Sequence, residues 1–449
     1  MADIGFISLG CAKNQVDCER MMFRVREAGF TVRPDIVHCD VVVINTCGFI
    51  DAAKSEAIDA ILQTAQLKAQ GLVGKILVTG CLSQRYQKEI LTEMPEVDGI
   101  LGTGSYTKIV PALRALLADQ AVEDFDSIDA PEEETGRILT TPEHYAFLKI
   151  AEGCDNRCSY CVIPYLRGRY RSRGLDEVLY EARLLADSGV KELIVVAQDT
   201  SRYGTDFPEH KRLLPELLRQ LCRIEGLHWI RIHYLYPDEI DDELIDVIAS
   251  EPKIVKYLDI PIQHCNDEIL RRMNRRGGGA FLMELIGKLR RRIPGLVLRT
   301  SIITGLPGEG EAEFAELCEF LKAQRLERVG AFPFSPEEGT PAYSMERPDA
   351  ETAQARAQMV ETIQSRVMDA YNASMLGKTL EVLVDGFDAE AEQFYGRTYA
   401  DSPDIDGRVW IAAPEALREG EFVKVCIDGV IDGDLSGYLV EEESDDNSQ

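Results

Sequence analysis

Apolar and polar positions follow three rhythms along the chain. Up to about residue 117, short continuous apolar runs alternate with longer stretches of helical period, predicting strands over 3–9, 41–46 and 75–79 and helices over 14–28 and 52–68. That alternation implies a parallel sheet with helices on its faces. Residues 118–141 lose periodicity and turn acidic, with Glu132-Glu133-Glu134 after Pro131, and read as a linker. A second strand–helix series runs over 142–372, with strands expected at 146–150, 192–197, 229–234, 257–262, 297–304 and 329–334. Leu175, Val178, Ala182 and Leu185 mark the apolar face of one intervening helix. Six such units predict a partial, open α/β barrel, because eight would need more residues than this stretch holds. After a helical stretch over 348–372 the period drops to two. Five short strands over 379–384, 394–399, 409–412, 422–427 and 435–440 predict a small all-β barrel within 376–441. The acidic tail 442–449 is expected to be disordered.

The 449 residues suffice for about three domains. No segment is long and apolar enough to span a membrane, and no basic region precedes an apolar stretch at the N-terminus, so a cytoplasmic protein is expected. Twelve cysteines in a long chain of this kind read as metal or cluster ligands and buried thiols rather than as disulfides. The net charge of −28 argues against phosphate-backbone binding and for a basic protein partner, the alternative being plain solubilising charge. The five C-terminal strands lean the same way, with Lys378, Arg397, Arg408, Arg418 and Lys424 set against 14 acidic residues over 377–440.

The chemistry centres on Cys154, Cys158 and Cys161, spaced Cys-x3-Cys-x2-Cys directly after an expected barrel strand. Three thiolates on a 4Fe-4S cubane leave one iron open to a small molecule, whereas a structural zinc ion would have to borrow a distant fourth ligand. A second trio is scattered. The three N-terminal strands end at Gly10-Cys11, Cys47-Gly48 and Gly80-Cys81, and the carboxyl ends of parallel strands share one edge, so Cys11, Cys47 and Cys81 should converge. The adjacent glycines would let backbone approach the sulfurs. Cys18 and Cys39 read as buried small side chains, although Cys18, two helical turns past Cys11, leaves a role near that site open, and Cys222, Cys265 and Cys318 lack partner spacing and read as structural. The turn Gly305-Leu306-Pro307-Gly308-Glu309 is either a ligand-contacting loop or simple punctuation. Gln198-Asp199-Thr200 ends another strand, and Arg231 and His233 alternate on a third, where they face the cavity or form satisfied core. The arginine runs Arg167, Arg169, Arg171, Arg173 and Arg271-Arg272, Arg275-Arg276 read as salt-bridged loops and helix faces, with RNA contact as the alternative.

The Cys-x3-Cys-x2-Cys loop, with Tyr160 before its last cysteine, resembles the signature of the radical S-adenosylmethionine (SAM) enzymes. Leu9-Gly10-Cys11-Ala12-Lys13-Asn14, Asn45-Thr46-Cys47-Gly48-Phe49-Ile50 and Val78-Thr79-Gly80-Cys81-Leu82 are similar to the cluster motifs of the methylthiotransferase family within that superfamily, and the five C-terminal strands resemble its TRAM domain. The resemblance covers nearly the whole chain. It implies two 4Fe-4S clusters, one on Cys154, Cys158 and Cys161 that binds SAM and cleaves it to a 5′-deoxyadenosyl radical, and an auxiliary one on Cys11, Cys47 and Cys81 that delivers sulfur. It also implies SAM contacts from Gly305, Pro307, Gly308, Glu309 and Gln198, although Gln198-Asp199-Thr200 stands where many radical SAM enzymes have Gly-Gly-Glu. The phrases Ile163-Pro164-Tyr165-Leu166-Arg167-Gly168 and Tyr399-Ala400-Asp401-Ser402-Pro403-Asp404-Ile405-Asp406-Gly407 resemble the branch acting on an aspartate β-carbon of the twelfth small-subunit ribosomal protein. On that reading the partners are this basic ribosomal protein and an electron donor such as flavodoxin or ferredoxin, with no membrane and no nucleic acid. The alternatives are methylthiolation of a transfer-RNA adenosine and a non-catalytic iron-sulfur protein that senses redox state.

Overall fold

A computed structural model describes residues 2–131, 135–414 and 416–440; the acidic run 132–134 and the tail from 441 lie outside the described residues. The N-terminal sheet is all parallel, with β1 (Asp3–Ser8), β2 (Thr31–Arg33), β3 (Cys39–Thr46), β4 (Val73–Gly80), β5 (Gly99–Leu101) and β6 (Val122–Asp124) in the order β2-β1-β3-β4-β5-β6. Its central strands are covered on both faces, so Val41 to Ile44 and Ile76 to Val78 are fully buried and read as unbroken apolar runs. The sequence pattern does not disclose β2, β5 and β6, because three residues are too few to display a period.

The described part of the expected linker is a packed strap. Its residues 122–124 form the sixth strand, pairing Gly99 with Val122. Further on, the Ile138 amide donates to the Glu19 carbonyl at 3.2 Å, and the Thr140 amide and hydroxyl both donate to the Glu19 carboxylate at 2.8 Å. Arg137 bridges Glu19 (3.3 Å) on the helix Ala12–Glu27 to Glu181 (2.9 Å) on the helix Leu175–Asp187. Buried charge is tolerated only when paired in this way, and such pairing of residues distant in sequence leaves no periodic trace.

The central sheet holds β7 (Tyr145–Lys149), followed by a short ribbon of β8 (Ala151–Glu152) and β9 (Arg171–Ser172). It continues through β10 (Glu192–Val196), β11 (Trp229–Ile232), β12 (Ile254–Asp259), β13 (Val297–Thr304) and β14 (Arg328–Pro333). The order is β14-β13-β12-β11-β10-β7, parallel and unclosed, as six units predict. Leu193, Val195, Ile230, Ile232 and Leu258 face the surrounding helices in one large apolar core. Strand alternation then turns Glu192, Arg231, Tyr257, Asp259 and Arg299 to the concave side.

The last five strands, β15 (Thr379–Asp388), β16 (Gln393–Arg397), β17 (Val409–Ala412), β18 (Phe422–Ile431) and β19 (Asp434–Leu439), close into a barrel around Val382, Val384, Val409, Ile411, Val425 and Ile427. The connection between β16 and β17 reaches into the concavity of the central sheet. There Asp401 pairs with Arg328 (2.7 Å), Asp406 accepts from the Tyr257 hydroxyl (2.7 Å), and Ser402 meets His233 (3.1 Å). Arg231 and His233 are buried and bonded to Glu192, Tyr399 and Ser402, which favours the core reading over the cavity one. Asp385, Asp401 and Asp406 all lie in this interface. A charge count over 377–440 therefore overstates the acidity of the barrel's outer surface. Among the described residues no helix is long and apolar enough to cross a membrane.

Candidate functional site

Cys11, Cys47 and Cys81 follow the adjacent strands β1, β3 and β4, whose registers set Ser8 beside Asn45 and Thr46 beside Gly80. The three cysteines lie along that edge, with Cys11 exposed, Cys47 half-buried and Cys81 buried. Two glycines are required by the closeness of the strand ends. A Cβ on Gly10 (φ +89°) would stand 2.7 Å from the Cys47 Cβ, and one on Gly80 (φ +98°) 2.4 Å from the Thr46 carbonyl. Asn14 ties the ends together, donating to the Leu9 carbonyl at 2.6 Å and the Thr46 carbonyl at 3.3 Å, while Asn45 donates to the Asn14 carbonyl at 2.7 Å.

Cys154, Cys158 and Cys161 lie on the loop between β8 and the short helix Ile163–Arg167. All three line a cavity of about 380 Å³, together with Arg157, Tyr165, Arg169, Pro341 and the strap residues Ile128 and Asp129. Backbone bonds pin the loop, from the Cys154 amide to the Gly168 carbonyl (3.1 Å), the Ser159 amide to Met273 (2.9 Å) and the Ala342 amide to Ser159 (2.9 Å). Asn274 donates to the Arg157 carbonyl (2.9 Å), and Asp199 accepts from the Asn156 amide (2.7 Å).

Each trio has one arginine donating to a sulfur, Arg167 buried and Arg275 half-buried, a role not read from the arginine runs. Arg167 Nη2 lies 3.4 Å from Cys81 Sγ, and Arg275 Nη1 lies 3.6 Å from Cys158 Sγ while also donating to the Tyr160 hydroxyl at 3.1 Å. Arg167 further joins a buried four-charge set in which it and Lys149 both contact Asp17 and Glu152. Arg271 and Arg272, by contrast, pair with Glu268 on an exposed helix face, as expected. No spacing marks Arg275 off from Arg271, since the difference arises only when the loop 154–161 folds against it. Burial pushes the Cys81 thiol up to about 11 against the pull of Arg167, and burial pushes Cys154 up to about 12. Loading a metal must therefore displace protons from both trios.

The remaining expected contacts are placed differently. Gln198 donates to Glu152, the residue before Gly153. Glu309 is buried, accepting from the Gly305 amide (2.9 Å) and from Arg356 (2.9 Å), and Pro307 is buried beside it while Gly308 is exposed. None of these four lines the cavity of the three thiols, and neither does Gly305. Cys18, Cys39 and Cys265 are buried in apolar clusters, and Cys318 is buried with them. Among the described residues no three His, Cys, Asp or Glu side chains are gathered closely enough for a single ion. Cys154, Cys158 and Cys161 line a cavity rather than close on one point.

Family models match the chain in three places: the radical SAM superfamily over 148–321, the uncharacterized protein family UPF0004 over 3–102, and a TRAM domain over 376–440. A curated ribosomal protein uS12 methylthiotransferase RimO of Lachnoclostridium phytofermentans is 48% identical over 436 residues, covering 97% of this chain and 99% of that protein. The protein of the same name from Thermoanaerobacter sp. is 45% identical over 439 residues, covering 97% and 100%. Among solved structures, the radical SAM methyltransferase TsrM of Kitasatospora setae aligns with a TM-score of 0.55 at 15% identity, over 74% of this chain and 73% of that one. The cobalamin-dependent SAM radical enzyme OxsB aligns at 0.52 and 13%, over 81% and 56%. These two show the fold alone.

Proposed function

The chain belongs to the RimO family of radical SAM methylthiotransferases, and from that premise we propose that it transfers a methylthio group to the β-carbon of an aspartate in ribosomal protein uS12. The observation that carries the two-centre part of this reading is the presence of two separate thiol trios, each with its own arginine donor. A cluster on Cys154, Cys158 and Cys161 would supply reductive SAM cleavage, and one on Cys11, Cys47 and Cys81 the sulfur; an unactivated β-carbon has neither an acidic proton nor a leaving group, so radical chemistry is required.

The chain's own residues hold the two centres in fixed relation. The helix Ile163–Arg167 packs Val162 and Leu166 against Cys81 and Phe49, so the loop of one trio abuts the other. Arg167 and Arg275 place positive charge against sulfur, which favours the ligating thiolates and tunes the potential of whatever they hold. Ile128 and Asp129 of the strap cover the cavity of the 154–161 loop and limit the access of water to it. Gly305, Pro307, Gly308 and Glu309 would act on SAM by shaping the end of β13, since the Glu309 carboxylate is engaged with Arg356, and Gln198 would act by orienting Glu152. A flavodoxin- or ferredoxin-type donor would supply the electron, and a ribosomal substrate puts the reaction in the cytoplasm.

The test is to incubate the reduced, reconstituted protein and SAM with uS12 and with transfer RNA separately and to read each product by tandem mass spectrometry. A methylthio group on a uS12 aspartate is the expected result. Modification of transfer-RNA adenosine alone would sink the substrate assignment, and absence of any SAM cleavage would leave a redox-sensing protein.

A further inference from the structure

Glu337 is 2% exposed and lies in the segment that follows β14, yet the two cations on its carboxylate come from the N-terminal unit. Arg85 Nη1 stands 2.6 Å and Lys54 Nζ 3.0 Å from Oε2, and the Ser335 hydroxyl donates to Oε1 at 2.5 Å. Both cations sit just past cysteines of the scattered trio. Lys54 is on the helix Asp51–Ala69, which follows Cys47, and Arg85 is on the helix Cys81–Tyr86. Arg85 also donates to the Gly48 carbonyl at 3.1 Å, and a Cβ on Gly48 would stand 2.9 Å from the Leu82 backbone. One guanidinium therefore holds the chain beside Cys47 against the helix that begins at Cys81.

The same segment continues to the other trio. The Thr340 amide and hydroxyl donate to the Glu337 carbonyl at 3.2 and 2.7 Å, closing a turn. Beyond it the Ala342 amide donates at 2.9 Å to the carbonyl of Ser159, which lies between Cys158 and Cys161, and Pro341 lines the cavity of the three thiols. Ala342 is buried among Ile269, Met273 and Leu306, with Tyr160 packed beside them. Residues 337–342 thus run from the flanks of Cys47 and Cys81 to the backbone between Cys158 and Cys161. Elsewhere between the trios, Val162 and Leu166 pack on Cys81 and Phe49, and Arg167 reaches Cys81 and Asn14. Apolar packing is non-directional, whereas charge-assisted hydrogen bonds to a buried carboxylate fix distance and orientation. Glu337 adds such a tie at the flank of Cys47.

We propose that Glu337 is a positioning residue for methylthio transfer: by holding Arg85 and Lys54 against the 337–342 turn, it latches the two trios at a set spacing. The proposal rests on the two-centre reading above and not on which substrate is modified. On that reading SAM cleavage needs the 154–161 centre alone, whereas transfer needs both centres at a matched distance. Losing the latch should therefore uncouple transfer from cleavage rather than stop both. A misplacement of about 1 Å can cost on the order of 100-fold where reacting parts must meet. Glu337 itself lines no part of the thiol cavity, so it acts through the elements it holds.

The reconstituted, reduced full-length protein is assayed with SAM and uS12 for methylthio product per 5′-deoxyadenosine. Iron content is measured alongside, and electron paramagnetic resonance reads the magnetic coupling between the two reduced centres. Glu337→Gln should keep iron content and the 5′-deoxyadenosine rate within about twofold of wild type, lower product per 5′-deoxyadenosine about 10–100-fold, and change the coupling. If that variant loses iron because Arg85 is left uncompensated, the double change Arg85→Met with Glu337→Met, which removes both charges together, decides the matter by the same measures. An iron-replete variant in which either the coupling or the product ratio is unchanged overturns the latch. A parallel fall in 5′-deoxyadenosine and product overturns it too, since Glu337 would then be structural only. A wild type holding about four irons instead of about eight overturns the two-centre reading and the latch with it. One that modifies only transfer RNA overturns the substrate assignment alone, and the latch is then decided by the coupling and by the product ratio on that RNA.

Discussion

Cys154, Cys158 and Cys161 come from one loop of eight residues, whereas Cys11, Cys47 and Cys81 come from three strand ends separated by more than thirty residues each. The first trio is fixed within the central unit, by backbone bonds with Gly168, Met273 and Ala342. The second exists only while β1, β3 and β4 keep their register, because a slip of one residue would point each thiol to the other side of the sheet. Their arginines differ in the same sense. Arg275 leans on Tyr236 with its guanidinium 4.5 Å from the ring centre and donates to the Pro261 carbonyl, all within the central unit. Arg167 lies between units, contacting Asn14 and Asp17 of the N-terminal one. A local centre survives local disturbance, and a distributed centre inherits the stability of everything that aligns its strands.

The largest expected effect separates the trios by chemistry. Cys154→Ala should abolish reductive SAM cleavage, whereas Cys81→Ala should retain 5′-deoxyadenosine formation and lose methylthio product. Each should remove about half of roughly eight irons, as read by chromatography, iron assay and Mössbauer spectra. Loss of all iron from either change would mean a single shared centre and end the comparison.

Arg167→Met should come next. It leaves Asp17, Glu152 and Lys149 buried out of balance, at a cost of about 3–5 kcal/mol, and should lower iron retention by the 11/47/81 trio about 10–100-fold. Arg275→Met should weaken iron retention only at the other trio and cost less in a thermal melt, since it belongs to no buried network of acids. Equal stability losses would contradict the local-versus-distributed distinction.

Acid should act on the distributed centre first. Burial opposes ionisation of Glu181, but Arg173, Arg137 and Arg20 together outweigh it and hold the carboxyl at about 2, below its ordinary 4.5. A depressed folded pKa contributes stability that is complete above the unfolded value and is lost as pH falls from about 4.5 towards 2, on the order of 3 kcal/mol in all. Because Glu181 joins the strap and the helix Ala12–Glu27 to the central unit, iron at Cys11, Cys47 and Cys81 should be released at a higher pH than iron at the loop. Glu181→Gln should flatten that difference; simultaneous release in the wild type would refute it.

Cys18→Ser should do least. Its thiol is buried in the apolar cluster of Ile4, Met21 and Val43, and burial pushes it up to about 12. The change should cost about 1–2 kcal/mol for the buried hydroxyl and leave iron content unaltered. Loss of iron would restore a role for Cys18 beside the distributed trio.

The architecture and the placement of the six cysteines were legible because they rest on short-range or periodic signals: a compact cysteine spacing, apolar runs of strand length, and cysteines recurring at strand ends whose parallel order follows from crossover handedness. The strap was misread because its strand is three residues long and its buried ions pair across more than a hundred positions, as Arg137 does with Glu19. Arg167 and Arg275 looked like their neighbours Arg169 and Arg271, because charge alone does not say which guanidinium will be covered.

What the sequence by itself determined is therefore which main elements form and where the cysteines fall on them, since secondary structure is written in local pattern. What only the tertiary structure decided is how the three units share a site. The 398–408 connection fills the floor of the central sheet, Lys13 of the first unit sets its ammonium over the Tyr234 ring, and acids counted as surface charge turn inward to pair with Arg328 and Tyr257. The physical reason is that burial sets the strength of a charge and the worth of a hydrogen bond, and burial is a property of contacts between distant segments.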